Sequence, residues 1–305
     1  MLLTVAESSG SSPGRAGYKM AVAAGGQLCG SIGGGIMEVN LVEQSRALVS
    51  EPGATATGFF PSQLIEQVHK KNSPHSSGMI CSGRQTVLML LLTPSNADTI
   101  NQITQSKGEN NLLSISEKGI ELLDPIGENT SGAISFRRTS EAKFTYTERL
   151  GRAHDLYIIG GGHCALALSE LMSMLDFRIT IFDDRPGLNT IEKNRFADEI
   201  RIVETYESVG DLIPAGPDVY VVVMTLGYAS DEIAIRGLVK KDKKYLGVLG
   251  SRAKMKALLK TLEKEGIDPM LLSRIHTPIG LPINSHSPEE IAVSIAAEII
   301  SIKNA

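Results

Sequence analysis

The hydrophobic run Leu156-Tyr157-Ile158-Ile159 ends abruptly at Gly160-Gly161-Gly162, and a segment with helical spacing starts at His163. A strand, a glycine turn and a helix start together open a parallel βαβ unit, and few other folds accommodate that order. Gly160, Gly162 and Ala165 fall on the three small positions of G-x-G-x-x-A. The first position allows a tight turn, the second a close backbone approach to a pyrophosphate, and the third close packing of helix on strand. The alternation then continues, with strands expected at 178–182, 200–203, 219–224 and 245–249 and helices at 163–174, 252–265 and 288–302. Ser287-Pro288-Glu289-Glu290 marks the last helix start by an N-cap serine, a proline at the first helical position and two acids in the first turn.

A second glycine cluster, Gly33-Gly34-Gly35, lies in a front half of different character. Short strands are expected there at 4–6, 19–23, 27–29, 87–92, 112–115 and 120–123, with Gly25-Gly26 as a hairpin turn and the last two strands closing the domain. Helices are expected at 38–49 and at 95–106, the latter capped by Ser95 or Asn96. Residues 126–152 are polar and weakly periodic apart from a strand at 144–146, so they read as a linker. The fold class is therefore α/β: an N-terminal mixed α/β domain over 1–125, then a Rossmann-like doubly wound parallel-sheet domain over 153–305. The chain opens directly on a strand, which suggests a missing upstream piece.

At 305 residues, with a net charge of -4 and basic residues spread along its length, the chain shows no footprint for nucleic acid or an anionic membrane. Its three cysteines, Cys29, Cys81 and Cys164, form no C-x-x-C pair, which argues against a disulfide framework or structural zinc and for a reducing cytoplasm. No apolar run approaches a membrane span.

Both glycine clusters are candidate anion cradles, since backbone N–H groups and a helix dipole converge at such turns. In the back half, Gly160 and Gly162 would face a phosphate, and Asp183 or Asp184 would reach a ribose hydroxyl, as in NAD; Arg185 leaves NADP open. His163 is a neutral donor at the helix start, while Cys164 reads as a small packed hydrophobe. Ser251 and Arg252 either contact the same phosphate or form a capped helix start with an exposed arginine. In the front half, Gly10, Ser11, Ser12 and Ser31 could wrap an oxygen-rich group with Arg15 as clamp. Glu38 either reads the amino edge of a heterocycle or favours the helix N-terminus. Cys81 sits in a glycine-flanked turn, within reach of a loop-bound ligand or buried. Lys240 to Lys244 reads as a solvated turn, and no Ser-His-Asp set, H-E-x-x-H or acidic metal cluster is present.

The ordered words Gly10-Ser11-Ser12-Pro13, Gly30-Ser31-Ile32-Gly33-Gly34-Gly35 with Glu38, Gly160-Gly161-Gly162-His163, Asp183-Asp184-Arg185-Pro186, Leu249-Gly250-Ser251-Arg252, His276-Thr277-Pro278-Ile279-Gly280-Leu281 and Pro288-Glu289-Glu290-Ile291-Ala292 resemble the XdhC/CoxI family over nearly the whole chain. These are accessory proteins that mature molybdenum hydroxylases such as xanthine dehydrogenase. The resemblance implies a cofactor-maturation chaperone that binds the molybdenum cofactor, as molybdopterin or its nucleotide form. Such a protein shields the cofactor and hands it to the apo-hydroxylase, assisting exchange of a terminal oxygen for sulfur with a cysteine desulfurase; a homodimer is a further expectation. It makes Cys81 the sulfur or cofactor contact, in a turn where Ser82 replaces a family glycine. Tyr228 stands where relatives often have histidine, and Asn284 interrupts a usual glycine. A different class, supported by the back half alone, is an NAD(P)-dependent oxidoreductase with His163, Tyr228 or His276 as proton donor.

Overall fold

The computed structural model describes residues 1–50, 62–68, 83–105, 111–124, 134–140 and 143–305. They form two compact units, Met1–Gly151 and Arg152–Ala305. Among the described residues no helix is long and apolar enough to cross a membrane.

The first unit contains β1 (Leu2–Gly10), β2 (Lys19–Val22), β3 (Leu28–Gly30), α1 (Gly35–Ser50), β4 (Gln63–Val68), β5 (Gly83–Leu90), α2 (Ala97–Gln105), β6 (Leu112–Ser116), β7 (Gly119–Leu123), β8 (Ile134–Arg138) and β9 (Phe144–Arg149). One antiparallel sheet has the order β3-β2-β1-β5-β4, and a second has the order β7-β6-β9-β8. The run at 87–92 is apolar without alternation because its strand is covered on both faces. Val87, Met89 and Leu91 join Leu3, Val5, Leu41 and Val42 in one core, whereas Leu88 and Leu90 join Ile115, Phe144 and Tyr146 in another. The pair β6 and β7 does not close the first sheet; it continues through β9 and β8, so the described part of 126–152 supplies two strands of this unit. The cap of the turn leading into α2 is Thr93, whose backbone N–H donates to Asn96 Oδ1 at 2.9 Å.

The second unit runs β10 (His154–Ile159), α3 (His163–Ser173), β11 (Phe177–Asp183), α4 (Asn189–Lys193), β12 (Glu199–Ile202), α5 (Val209–Leu212), β13 (Gly216–Val223), α6 (Tyr228–Leu238), β14 (Lys243–Val248), α7 (Arg252–Lys264), α8 (Pro269–Leu272) and α9 (Pro288–Lys303). All strands are parallel in the order β12-β11-β10-β13-β14, the doubly wound arrangement that the alternation required. Successive residues of β13 point to opposite faces. Val219, Val221 and Val223 pack with α6 and α7, and Tyr220 and Val222 with α3 and α9. Ser287 and Glu290 complete a reciprocal capping box at the start of α9. Residues 276–279 run along β14, the His276 N–H donating to the Leu246 carbonyl and the Val248 N–H to the His276 carbonyl, each at 2.9 Å.

Candidate functional site

The parallel order carries the turns after β10, β11, β13 and β14 to one edge of the sheet, and strand order reverses beside β10, where open α/β sheets form their ligand crevice. Gly160 has φ +102°, and a Cβ there would stand 2.4 Å from the Met224 carbonyl oxygen. Only glycine lets the turn after β10 touch the chain leaving β13.

Asp183 ends β11 with no exposed surface. Its Oδ2 accepts from the Gly161 N–H at 2.6 Å and from Arg185 Nη2 at 2.7 Å; its Oδ1 accepts from the Arg185 N–H and Nε, each at 2.9 Å. A carboxylate offers about four lone-pair sites, so this one is full. Burial alone would raise its pKa, but the Arg185 hydrogen bonds and the Gly161 N–H outweigh burial and hold it below the usual carboxylate range. Asp183 therefore braces the glycine turn and has no acceptor left for a ribose hydroxyl. Asp184 is exposed, and its Oδ1 accepts the Tyr206 hydroxyl at 3.1 Å.

The middle glycine is closed from above. Thr190 Oγ1 donates to the Gly161 carbonyl, and a Cβ on Gly161 would lie 2.6 Å from Ile191 Cγ1, so α4 sits on the turn. Gly162 differs: nothing lies within 4 Å of a Cβ built there, and it is the N-cap of α3 without a side-chain cap. The first N–H groups of α3 have no intrahelical acceptor, so the helix start at Gly162 and His163 can receive an anion. His163 is exposed at that helix start. Cys164 is half-buried against the core, and burial, with Glu289 adding to it, pushes its thiol up.

The other expected residues divide. Ser251 caps α7 by accepting the Lys254 N–H at 3.3 Å, and Arg252 is exposed. The three proposed proton donors go to separate places, because Tyr228 donates to Thr261 Oγ1 at 3.2 Å, while the His276 ring lies tilted against Tyr245, 4.7 Å between centroids, and 3.3 Å from Glu298. Sequence reasoning missed Asp231, almost fully buried, which accepts Thr225 Oγ1 at 2.6 Å and Lys254 Nζ at 2.7 Å. The signal was available: a lysine in the first turn of a helix opposes the dipole and calls for a nearby carboxylate.

In the first unit the structure brings the 10–15 loop and the 30–38 turn together. Gly33 has φ +122°, and a Cβ there would stand 2.4 Å from the Gly14 nitrogen. The anion in this nest is the chain's own. Glu38 Oε2 accepts from Ser31 Oγ at 2.7 Å, the Ile32 N–H at 2.9 Å and the Gly34 N–H at 3.1 Å. Burial raises its pKa, yet these bonds together keep it below the ordinary value. Ser12 is buried and donates to Gln85 Oε1 at 2.8 Å, and Gln85 donates on to Gln67 at 2.8 Å, so its hydroxyl is structural. Gly10, Ser11 and Arg15 are exposed, with Arg15 Nη1 3.4 Å from the Gly10 carbonyl. Gly34 and Gly35 carry φ +75° and +72°. Cys81 lies outside the described residues.

Residues 156–299 match the XdhC Rossmann domain and residues 1–57 match the XdhC and CoxI family. The uncharacterized protein YqeB of Escherichia coli K12 is 29% identical over 182 residues, covering 59% of this chain and 31% of that protein. A probable xanthine dehydrogenase subunit from Bacillus subtilis 168 is 31% identical over 158 residues, covering 52% of this chain and 46% of that one. The chain thus spans less than half the length of either curated relative. A crystal structure described as a xanthine dehydrogenase from Bacillus halodurans shares the fold with a TM-score of 0.71 at 24% identity, covering 99% of this chain and 91% of that one. Matched front and back by the two patterns in their order, the chain belongs to the XdhC and CoxI family.

Proposed function

We propose that this chain is a cytoplasmic accessory protein of a xanthine dehydrogenase-type molybdenum hydroxylase, and that it binds the molybdenum cofactor, shields it and passes it to the apo-enzyme. The saturated Asp183 beside the open Gly162 carries this reading. An anion can meet the start of α3, but of the two carboxylates placed to read a nicotinamide dinucleotide's ribose the buried Asp183 is already consumed, leaving only exposed Asp184, whose Oδ1 accepts from Tyr206. A cofactor that ends in a phosphate needs only the first of these features. The name of the Bacillus subtilis relative agrees with an association of this kind.

On this reading Gly162 and His163 hold the phosphate, and exposed Arg252, in the turn after β14 at the same sheet edge, adds charge. Within the first unit taken by itself, Gly10, Ser11 and Arg15 are exposed polar residues, while Glu38 keeps its own nest closed to a second anion. Cys81 is the proposed contact for the cofactor or for sulfur delivered by a cysteine desulfurase. The cofactor itself supplies the redox chemistry of the recipient enzyme; the chain's residues bind and shield.

The test is anaerobic incubation of the purified chain with molybdenum cofactor, followed by gel filtration and measurement of molybdenum and pterin. Stoichiometric co-elution is expected, and failure to bind would overturn the proposal. In parallel, millimolar NAD should leave the unfolding temperature unchanged, because a ligand of the native state must raise it. A clear NAD shift would favour the oxidoreductase reading.

A further inference from the structure

The run Lys240 to Lys244 is not a free solvated turn. Its last two residues open β14, and with Arg274 it encloses a cavity of about 340 Å³, within the range of small-molecule sites. Because the sheet is parallel, the start of β14 lies at the opposite edge from the Gly160 turn. This cavity is therefore separate from the site already described.

Five cations line it, Lys240, Lys241, Lys243, Lys244 and Arg274, against the single carboxylate of Asp242. Lys241 Nζ donates to the Ile213 carbonyl at 2.6 Å, and Lys243 Nζ donates to the Lys241 carbonyl and lies 3.4 Å from that of Val239. Carbonyls after α5 and after α6 thus hold these two ammonium groups in place without neutralising them. Lys240, Lys244 and Arg274 are exposed, and their side chains have no hydrogen bond or ion pair to the described residues. Burial and the neighbouring Arg274 charge bring Lys243 down to about 8. Like charges gathered around a half-buried lysine oppose one another, and an anion between them removes the opposition. Leu246, Leu271 and Ile275 also line the cavity and add apolar surface to it.

We infer that this cavity is a binding site for a phosphorylated small molecule with two or more negative charges, of the nucleoside di- or triphosphate class. The cations take the phosphates, and the apolar side chains among them take the body of the ligand. A concave site of this size suits a compact ligand better than an extended acidic peptide, which binds along a surface.

The test is isothermal titration of the full chain with inorganic pyrophosphate and with ATP, at low and high salt. Saturable binding is expected for both, weakened about tenfold or more by salt as screening shortens the reach of the charges. The double variant Lys244→Gln/Arg274→Gln should weaken binding about tenfold or more, as expected when charge-assisted phosphate contacts are lost. Its unfolding temperature should not fall, since both side chains are exposed and unpaired and their removal relieves like-charge repulsion. Lys118→Gln, exposed in the turn between β6 and β7, should leave this binding intact. NMR titration of the Lys243 ammonium should show it rising when pyrophosphate is added; Asp242 and His276 also face the cavity and must be followed with it. No saturable binding up to about 10 mM, binding indifferent to the double variant, or tighter binding of a glutamate-rich peptide than of ATP would each overturn the inference.

Discussion

Neighbouring residues of one chemical type do opposite work in this chain, and substitution separates them. Asp183 and Asp184 both stand at the end of β11, yet Asp183 is buried with four hydrogen bonds and Asp184 is exposed with Tyr206. Asp183→Ala should cost on the order of 3 kcal/mol, because it strands the buried Gly161 N–H and leaves Arg185 with only its longer, 3.7 Å pairing to exposed Asp184. Asp184→Ala should cost less than about 1 kcal/mol. Urea denaturation of the two variants checks this, and equal losses would refute the bracing role. The pH dependence has a definite sign. The pKa of Asp183 is lowered on folding, so its contribution is present above the unfolded value of about 3.9 and is lost as pH falls through the lower folded value. The stability gap between wild type and Asp183→Ala should hold at neutral pH and close only in strong acid. Gly33 and Gly34 form a second pair. A methyl group at Gly33 meets the Gly14 backbone, whereas at Gly34 it meets nothing within 4 Å. Both φ values are positive, so Gly34→Ala should lose about 1 kcal/mol from backbone strain alone. Gly33→Ala should lose about 2–4 kcal/mol, since overpacking adds to that strain. Thermal denaturation of the two variants distinguishes them.

At the scale of elements, Glu298 shows how one helix side chain fixes a loop. From α9 its Oε2 accepts the Tyr245 hydroxyl at 2.6 Å and the Gly280 N–H at 2.8 Å, and its Oε1 lies 3.3 Å from His276 Nδ1. Glu298→Ala should cost about 2–3 kcal/mol by leaving the buried Tyr245 hydroxyl and the Gly280 N–H without acceptors, and Glu298→Gln should cost less. Hydrogen exchange provides the check: the Gly280 amide should exchange faster in the alanine variant while the amides of α3 keep their protection. Those elements of this second unit that combined periodicity with a boundary signal were legible in the sequence, as in the Gly160 turn before α3 and Ser287-Pro288 before α9. Other elements carried no such signal. In β4, Leu64 and Ile65 adjoin with no alternation, and Gln67 is buried by its bond to Gln85; pairing with β5 makes this segment a strand. Arg137 and Arg138 gave β8 the look of a linker, but its ladder to β9 sets its conformation. The helix α4 has five residues and is held by Thr190 and Ile191 docking on Gly161, a tertiary contact that no local pattern encodes. For the same reason the glycine words revealed two anion-holding turns but not that Glu38 and Asp183 already accept from their N–H groups.

For the molecule as a whole, the four hydrophobic cores decide how folding is divided. Among the described residues, two cores draw only on Met1–Gly151 and two only on Arg152–Ala305. Each core of the second unit lies between one face of the β12-β11-β10-β13-β14 sheet and its own helices, so that unit buries both faces of its sheet unaided. Its elements also include both hydrogen-bond networks of the sheet's C-terminal side, those of Asp183 and Asp231. A segment with a complete core and internally satisfied buried charges meets the requirements for independent folding. Residues 152–305 expressed alone should therefore unfold in a single cooperative transition. Asp183→Ala should lower its midpoint in urea by the same free energy as it lowers the corresponding transition of the full chain. Near-ultraviolet circular dichroism measures both. Loss of the near-ultraviolet signal in the isolated segment, with helical signal retained, would mean that its packing depends on residues 1–151. An unchanged signal with equal free-energy losses would mean that the glycine turn and its carboxylate brace are a property of the second unit alone.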